Sequence, residues 1–438
     1  MKKKILVICL TILTILFSLI ISIKLFYINT QNNNMVISYS DVGIPQNNYI
    51  AVSDGKQYSY LNLTTLELID ELKYPIIDTM KPDDTINLSE FVFIDGLAPI
   101  TNERGYLGLI NTDGKIIIQP KYSTIKVLSK DLILVYENGN YYFIDSNEKP
   151  LFDISFQSVE LLEGTSEIFI INQDDKYGIM NDQGKIILEC QYNQILKQTD
   201  HNNHYIFQAT IGENIENYYY SNSTIRKIED AKNMNIFNLD NQYIYYTDSD
   251  GLFYLYDLST NQMKQFTNKY VAMGTFNNGL ALAINEDMKA GFIDENEKVV
   301  ISFKYDGEFT SDFSSTNYAV VAQDNLVGVI DQDGKEILPI KYYGVTILDE
   351  QYFLVFDQNN QSSIIDTNQK KVTTKEYSSI STIENFPYLL TKDTNQLYGI
   401  INYQGKEIIP NQYKAITVYK DYFLLQSKDN EYIIKKID

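Results

Sequence analysis

The residues of this 438-residue chain that could do chemistry are few in kind: two histidines, His201 and His204, two cysteines, Cys9 and Cys190, and a large stock of carboxylates. A His-x-x-His pair can hold a metal when a helix presents both rings and a third ligand joins them. Here His201-Asn-Asn-His204 reads as a solvated loop, and no carboxylate stands at a recognisable spacing from it. Ser–His or Cys–His catalysis would have to use that same loop. Cys9 falls inside an apolar run, which leaves Cys190 as a lone thiol, expected as a small, partly buried residue beside a strand. G-x-S-x-G, H-E-x-x-H, P-loop and dinucleotide fingerprints do not occur. The turns Asp331-Gln-Asp-Gly334 and Asn111-Thr-Asp-Gly114 look like pieces of calcium loops. A calcium loop needs about six oxygens and a distal Glu, and nothing suitable follows. A glycosidase-like pair of acids can be drawn from 57 Asp and Glu, but no pair stands out. No enzyme, no metal and no cofactor is therefore the expectation.

The elements that would position such residues follow one recurring pattern. Its best copies are Gly108-Leu-Ile-Asn111-Thr-Asp-Gly114-Lys115, Gly178-Ile-Met-Asn181-Asp-Gln-Gly184-Lys185, Gly328-Val-Ile-Asp331-Gln-Asp-Gly334-Lys335 and Gly399-Ile-Ile-Asn402-Tyr-Gln-Gly405-Lys406. A fifth, Gly291-Phe-Ile-Asp294-Glu-Asn-Glu297-Lys298, loses only the second glycine. After each lysine an apolar run ends in Tyr122, Tyr192, Tyr305, Tyr342 or Tyr413. Looser copies place the acid at Asp145, Asp257 and Asp366, and weaker ones fall near Asn62 and Ser221. From 111 onward the anchors are 34 to 40 residues apart, giving nine or ten units.

Turn chemistry accounts for the motif without a ligand. Leu326–Asp331 reads as a strand, and Asp331–Gly334 as a type I turn with a side-chain cap at its first position. Gly334 supplies positive φ, Lys335 onward returns as the next strand, and Pro339 stops it. The glycine three residues before each anchor removes a side chain in mid-strand, a mark of close approach by a neighbouring sheet or ring. Two further strands per unit give about four, many apolar on both faces, as sheets stacked on both sides must be. Composition agrees: 36 Tyr and 21 Phe suit pleated strands.

These residues resemble the bacterial WG (or KWG) repeat family, whose units run roughly Trp-Gly-aromatic-Ile-Asp, a turn with Gly-Lys, an Ile/Val run and Pro-x-x-Tyr-Asp. The resemblance covers most of the chain beyond about residue 50. One departure matters: with no Trp, the first position is held by Leu107, Tyr177, Ala290, Val327 or Tyr398. A ring-against-glycine contact of the kind the family implies can survive as Tyr–Gly in two copies at most. The resemblance implies interaction rather than a defined reaction.

The fold expected is all-β: tandem repeats of about 36 residues forming a propeller-like ring, with an open β-solenoid as the alternative. The chain ends part-way through a unit, as a ring completed by N-terminal strands such as Tyr49–Ser53 would need. Ahead of the repeats, Lys2-Lys3-Lys4 and the uncharged run from Ile5 to Ile23 read as an uncleaved signal anchor, one transmembrane helix with its lysines in the cytoplasm. Residues 1–28 are expected to be that anchor, 29–48 a stalk, and 49–438 the repeat domain, single-pass in the cell membrane and extracellular. A net charge of −21 disfavours nucleic acid and anionic lipid surfaces as partners of the folded body. A binding or scaffold module for protein or cell-wall polymer is the functional expectation, a wall-glycan hydrolase with acids in a central funnel the alternative. Tyr218, Tyr219, Tyr220, Tyr243, Tyr245 and Tyr246, around the least regular units, are candidate exposed binding aromatics.

Overall fold

The computed structural model describes residues 34–37, 39–77, 87–162, 167–201, 204–228, 235–240, 242–419, 421–429 and 431–437. Every regular element among them is a strand, and the strands form eleven sheets of three or four. In chain order, sheet 1 spans 41–75, sheet 2 97–122, sheet 3 124–144 and sheet 4 158–192. Sheet 5 spans 194–227, sheet 6 235–265, sheet 7 272–306 and sheet 8 318–342. Sheet 9 spans 344–366, sheet 10 379–413 and sheet 11 415–436 together with Asn34–Ile37. Each is an up-and-down antiparallel meander of the kind that makes a β-propeller blade. No helix long and apolar enough to cross a membrane occurs among the described residues; the apolar run Ile5–Ile23 lies outside them.

Two compact units divide the chain. Unit one holds sheets 1, 2, 3 and 11, unit two holds sheets 4 to 9, and the residues of sheet 10 are shared between them. Within each unit the core consists of apolar layers between successive sheets. In sheet 1, Ala51, Tyr58 and Tyr60 pack with Phe93, Ala98 and Ile110 of the sheet 2 side. The alternate residues Ile50, Val52 and Leu61 pack with Tyr422, Leu424 and Ile434 of sheet 11. In sheet 8, Ile330 joins the layer shared with sheet 7 and Val329 the layer shared with sheet 9. Successive side chains of a strand point to opposite faces, so burying both faces demands unbroken apolar runs.

Unit one pairs an N-terminal strand with a C-terminal one. Asn34–Ile37 pairs antiparallel with Tyr432–Lys436, Ile37 lying opposite Tyr432, and so adds the fourth strand to sheet 11. Closed propellers hide their last free edge in this way. Two expectations change as a result. The completing strand is Asn34–Ile37, while Tyr49–Ser53 belongs to sheet 1. Residues 34–37 and 41–48, expected in a stalk, are already strand, bridge and turn of the repeat fold. Eleven sheets replace nine or ten units, because the weak copies at Asn62 and Ser221 are real and the split sheet carries no motif of its own.

The mid-strand glycines meet neither a ring nor a neighbouring sheet, but a bulge in the next strand of their own sheet. In sheet 8, Val327 pairs with Tyr342 and Val329 with Leu338, so two extra residues of Glu336–Tyr342 pass over Gly328. A Cβ on Gly328 would stand 2.6 Å from the Leu338 carbonyl oxygen and 2.8 Å from the Ile340 nitrogen. The same shift in register faces Gly108, Gly178 and Gly291. Pro339 sits inside this bulge and the strand runs on to Tyr342, so the proline marks a missing ladder donor rather than the strand's end.

Candidate functional site

The anchor turns are held by their own caps. Asp331 Oδ1 accepts hydrogen bonds from the backbone NH groups of Asp333 (3.1 Å) and Lys335 (2.9 Å), and Gly334 N donates to Asp331 O at 2.9 Å. Asn111, Asn181 and Asp294 cap their turns alike, and Asn402 receives the NH of Lys406 at 2.9 Å. Gly114, Gly184, Gly334 and Gly405 have φ between +74° and +79°. One side-chain oxygen of each cap is thus engaged by backbone donors, and no group of three or more His, Cys, Asp or Glu able to hold a metal occurs among the described residues. Gly399 keeps its place in the strand Tyr398–Asn402.

In four turns that lack glycine, the left-handed position carries a side chain that grips the preceding sheet. Glu297 (φ +60°) accepts hydrogen bonds from Thr267 N (2.8 Å), Thr267 Oγ1 (3.0 Å), Asn268 N (2.9 Å) and Asn268 Nδ2 (2.7 Å). Glu148 (φ +62°) pairs with Lys121, Gln369 (φ +62°) receives Lys341 Nζ at 3.2 Å, and Asn261 (φ +57°) receives the Arg226 guanidinium. Arg226 also lies over the rings of Tyr219 and Tyr256, 5.0 and 5.9 Å from their centroids.

The six candidate aromatics are not binding surface. Tyr218, Tyr219, Tyr220, Tyr243, Tyr245 and Tyr246 are all buried, Tyr245 and Tyr246 fully. Tyr218 and Tyr192 share a hydroxyl contact of 2.5 Å and both donate to Glu216 Oε2, whose other oxygen takes Lys227 Nζ at 2.6 Å. Tyr219 meets His204 Nδ1 at 2.6 Å. Tyr245 donates to Asp240 and accepts from Phe276 N, and Tyr246 stacks on Tyr254 with the rings 4° from parallel. A run of tyrosines without polar alternation is what a strand buried on both faces requires.

The histidines lie on strand ends rather than in a loop: His201 ends one strand of sheet 5, His204 begins the next, and the two pair across the hairpin. Burial, then the nearby His201, hold His204 below the usual imidazole value. Cys190 sits in the bulge that faces Gly178, half-buried, its thiol pushed up by burial and by the acids around it. Asp312 is pushed up by burial as well, but its carboxylate is taken by Leu282 N (3.1 Å) and Thr275 N (3.2 Å) between sheets 7 and 8.

A second hairpin recurs nine residues before the anchor. Its first residue caps it: Asn102, Asp248, Asn285 and Asp357 each accept the NH groups two and four residues on, at 2.8 to 3.1 Å. Ser427 does the same in sheet 11. The frame is constant and the tips differ: Glu103-Arg104-Gly105, Ser249-Asp250-Gly251, Glu286-Asp287-Met288 and Gln358-Asn359-Asn360. Two clefts of about 410 and 470 Å³ flank the first of these tips. One is lined by Pro75, Ile76, Ile77, Leu107 and Ser123, the other by Tyr106, Pro120 and Lys121, and Glu103 and Arg104 line both.

The class these observations define is an all-β protein of β-propeller blades. The family described as WG containing repeat matches residues 108–141, 177–197, 291–326, 328–360 and 398–432, which hold the five best copies of the motif. The chain carries WG repeats at these five stretches. No curated protein matches it. Similar solved structures include BamB from Moraxella catarrhalis, at 11% identity and TM-score 0.31 over 72% of this chain and 99% of that one. The tricorn protease matches at 10% identity and TM-score 0.23, over 88% of this chain and 46% of that one. The WD40 β-propeller domain of Doa1 matches at 12% identity and TM-score 0.27, over 56% of this chain and 95% of that one. Scores this low support no inference about function.

Proposed function

We propose that this protein is an interaction scaffold tethered to the membrane by residues 5–23, with its repeats outside the cytoplasm, and that it binds another protein through the tips of its capped hairpins. One observation carries the reading: the hairpins at Asn102, Asp248, Asn285 and Asp357 keep one hydrogen-bonded frame while their exposed tips differ. Constant frames that present variable loops are how repeat proteins recognise partners. The anchor turns and the tyrosines, by contrast, are absorbed by turn caps and inter-sheet packing. The membrane tether rests on the length of the apolar run and its flanking lysines.

The test is capture by the full-length chain, held in detergent, from native membrane extract and from purified cell wall. Specific recovery of one or two proteins supports the scaffold. Saturable retention by wall polymer, competed by glycan fragments and with no protein recovered, overturns protein binding.

A further inference from the structure

In most of the capped hairpins the residue two positions after the cap is Asp or Asn: Asp250, Asp287, Asn359 and Asp429. Those types suit the second central position of a type I turn. In sheet 2 the residue is Arg104, one of only two arginines in the chain. The other, Arg226, has a structural use at the seam between sheets 5 and 6. Arg104 is exposed, and no ion pair holds its guanidinium among the described residues. Two residues on stands Tyr106, 41% exposed where most tyrosines of the chain are covered.

The hairpin that carries them is held at both ends. Asn102 Oδ1 receives the NH groups of Arg104 and Tyr106 at 3.0 and 3.1 Å. Asn102 Nδ2 donates to Pro120 O in the bulge at 3.1 Å, and Gly105 takes φ +80°. A cation and a ring are thus presented on a fixed support between two clefts, which lowers the ordering cost of binding.

We infer that the Asn102–Tyr106 hairpin of sheet 2 binds an extended peptide segment of a partner protein, with Arg104 gripping the carboxylate of one Asp or Glu that is flanked by aliphatic residues. The inference rests on the scaffold reading above and names the partner's chemistry. A guanidinium fork matches a carboxylate in two hydrogen bonds. Aliphatic neighbours are called for by the wall of Pro75, Ile76, Ile77 and Leu107. A single acid is called for by the chain's net charge of −21, which repels a polyanion, whether a run of acids or a phosphate polymer. Because Arg104 lines both clefts, the segment crosses the hairpin in mid-chain rather than ending on it.

The test uses the full-length chain in detergent against an array of blocked ten-residue peptides, made in pairs that differ only in a central Glu or Gln with varied aliphatic flanks. Poly(glycerol phosphate) is the polyanion control. The expected result is a set of pairs in which the Glu member binds about tenfold or more tighter, as a charge-assisted pair allows, with the preference weakened by salt. Arg104→Asp installs the residue type that matching hairpins carry, so the thermal midpoint is expected to stay put while the Glu preference disappears. Tyr106→Ala should weaken both members of a pair. The inference is overturned if Glu and Gln members bind alike, if Arg104→Asp keeps the preference, or if only the phosphate polymer binds. If protein capture from membrane extract is equal for wild type and Arg104→Asp while no Glu preference exists, the scaffold stands and this site falls. If neither captures protein, the scaffold reading itself falls.

Discussion

Glu297 Oε2 accepts a hydrogen bond from Asn268 Nδ2 at 2.7 Å, joining the turn of sheet 7 to the segment that follows sheet 6. The residue that breaks the glycine pattern is therefore the residue that ties two sheets together. Substitution tests the two roles separately. Glu297→Ala keeps a side chain at φ +60° and loses the hydrogen bonds, so a loss of about 1–3 kcal/mol is expected. Glu297→Gly loses the same bonds but relieves the left-handed strain, worth about 1–2 kcal/mol, and is expected to be the milder change. Denaturant midpoints of the two variants check the order.

The bulge over Gly328 gives a second prediction. A methyl group there would meet the backbone of Leu338 and Ile340, neither of which can rotate away. Gly328→Ala is expected to cost about 1–3 kcal/mol as an overpacked site. Gly334→Ala is penalised by φ +77° instead, and its new methyl would rest at an ordinary 3.4 Å from Ile301 Cγ1. Thermal unfolding of both variants, with Gly212→Ala as an open-space comparison, separates clash from dihedral strain.

Acid sensitivity follows from the carboxylates. The hydrogen-bonded ammonium of Lys227, then Tyr218, hold Glu216 below its ordinary value, and Lys289 does the same for Asp306. At Glu297 burial pushes the other way, but the donors of Thr267 and Asn268 outweigh it. A carboxyl whose folded value lies below its unfolded value stabilises above the unfolded value, and that contribution is lost as pH falls through the folded one. Asp312 has the opposite sign: burial raises it, so its contribution declines as pH rises through the unfolded value. The thermal midpoint is expected to drop between about pH 5 and pH 3, and more steeply in Asp312→Asn. A flat profile would contradict the assignment.

Removing residues 1–38 deletes the strand Asn34–Ile37 and bares the edge strand Tyr432–Lys436. Unpaired edges recruit other chains, so the truncated protein should be less stable and should self-associate, as size-exclusion chromatography would reveal. A form beginning at residue 34 keeps the strand and is expected to stay monodisperse.

Much of this fold could be read before any coordinates. The anchor turn was legible because Asp331, Gly334 and Lys335 each answer a local demand of backbone geometry. The seams were not, because Glu148, Asn261, Glu297 and Gln369 look like imperfect turns until the preceding sheet is placed beside them. The Tyr218–Tyr220 run misled because an aromatic cluster in an irregular unit reads equally as surface or as a strand covered on both faces. The bulge was hidden for a related reason: period-two patterning assumes one residue against one, and here two extra residues cross Gly328. Arg104 could have been found from sequence alone by setting the second hairpins against one another, since it stands where Asp250 and Asp287 stand in theirs.

The central claim is that partners meet the hairpin tips. A photo-crosslinking residue placed singly at Met288 or Asn359, two tips, or at Asp333, in an anchor turn, and activated in living cells puts that claim to the test directly. Discrete adducts with another protein from the tip positions, and none from 333, are predicted. Adducts from no tip, or the same smear from tips and turn alike, would contradict it.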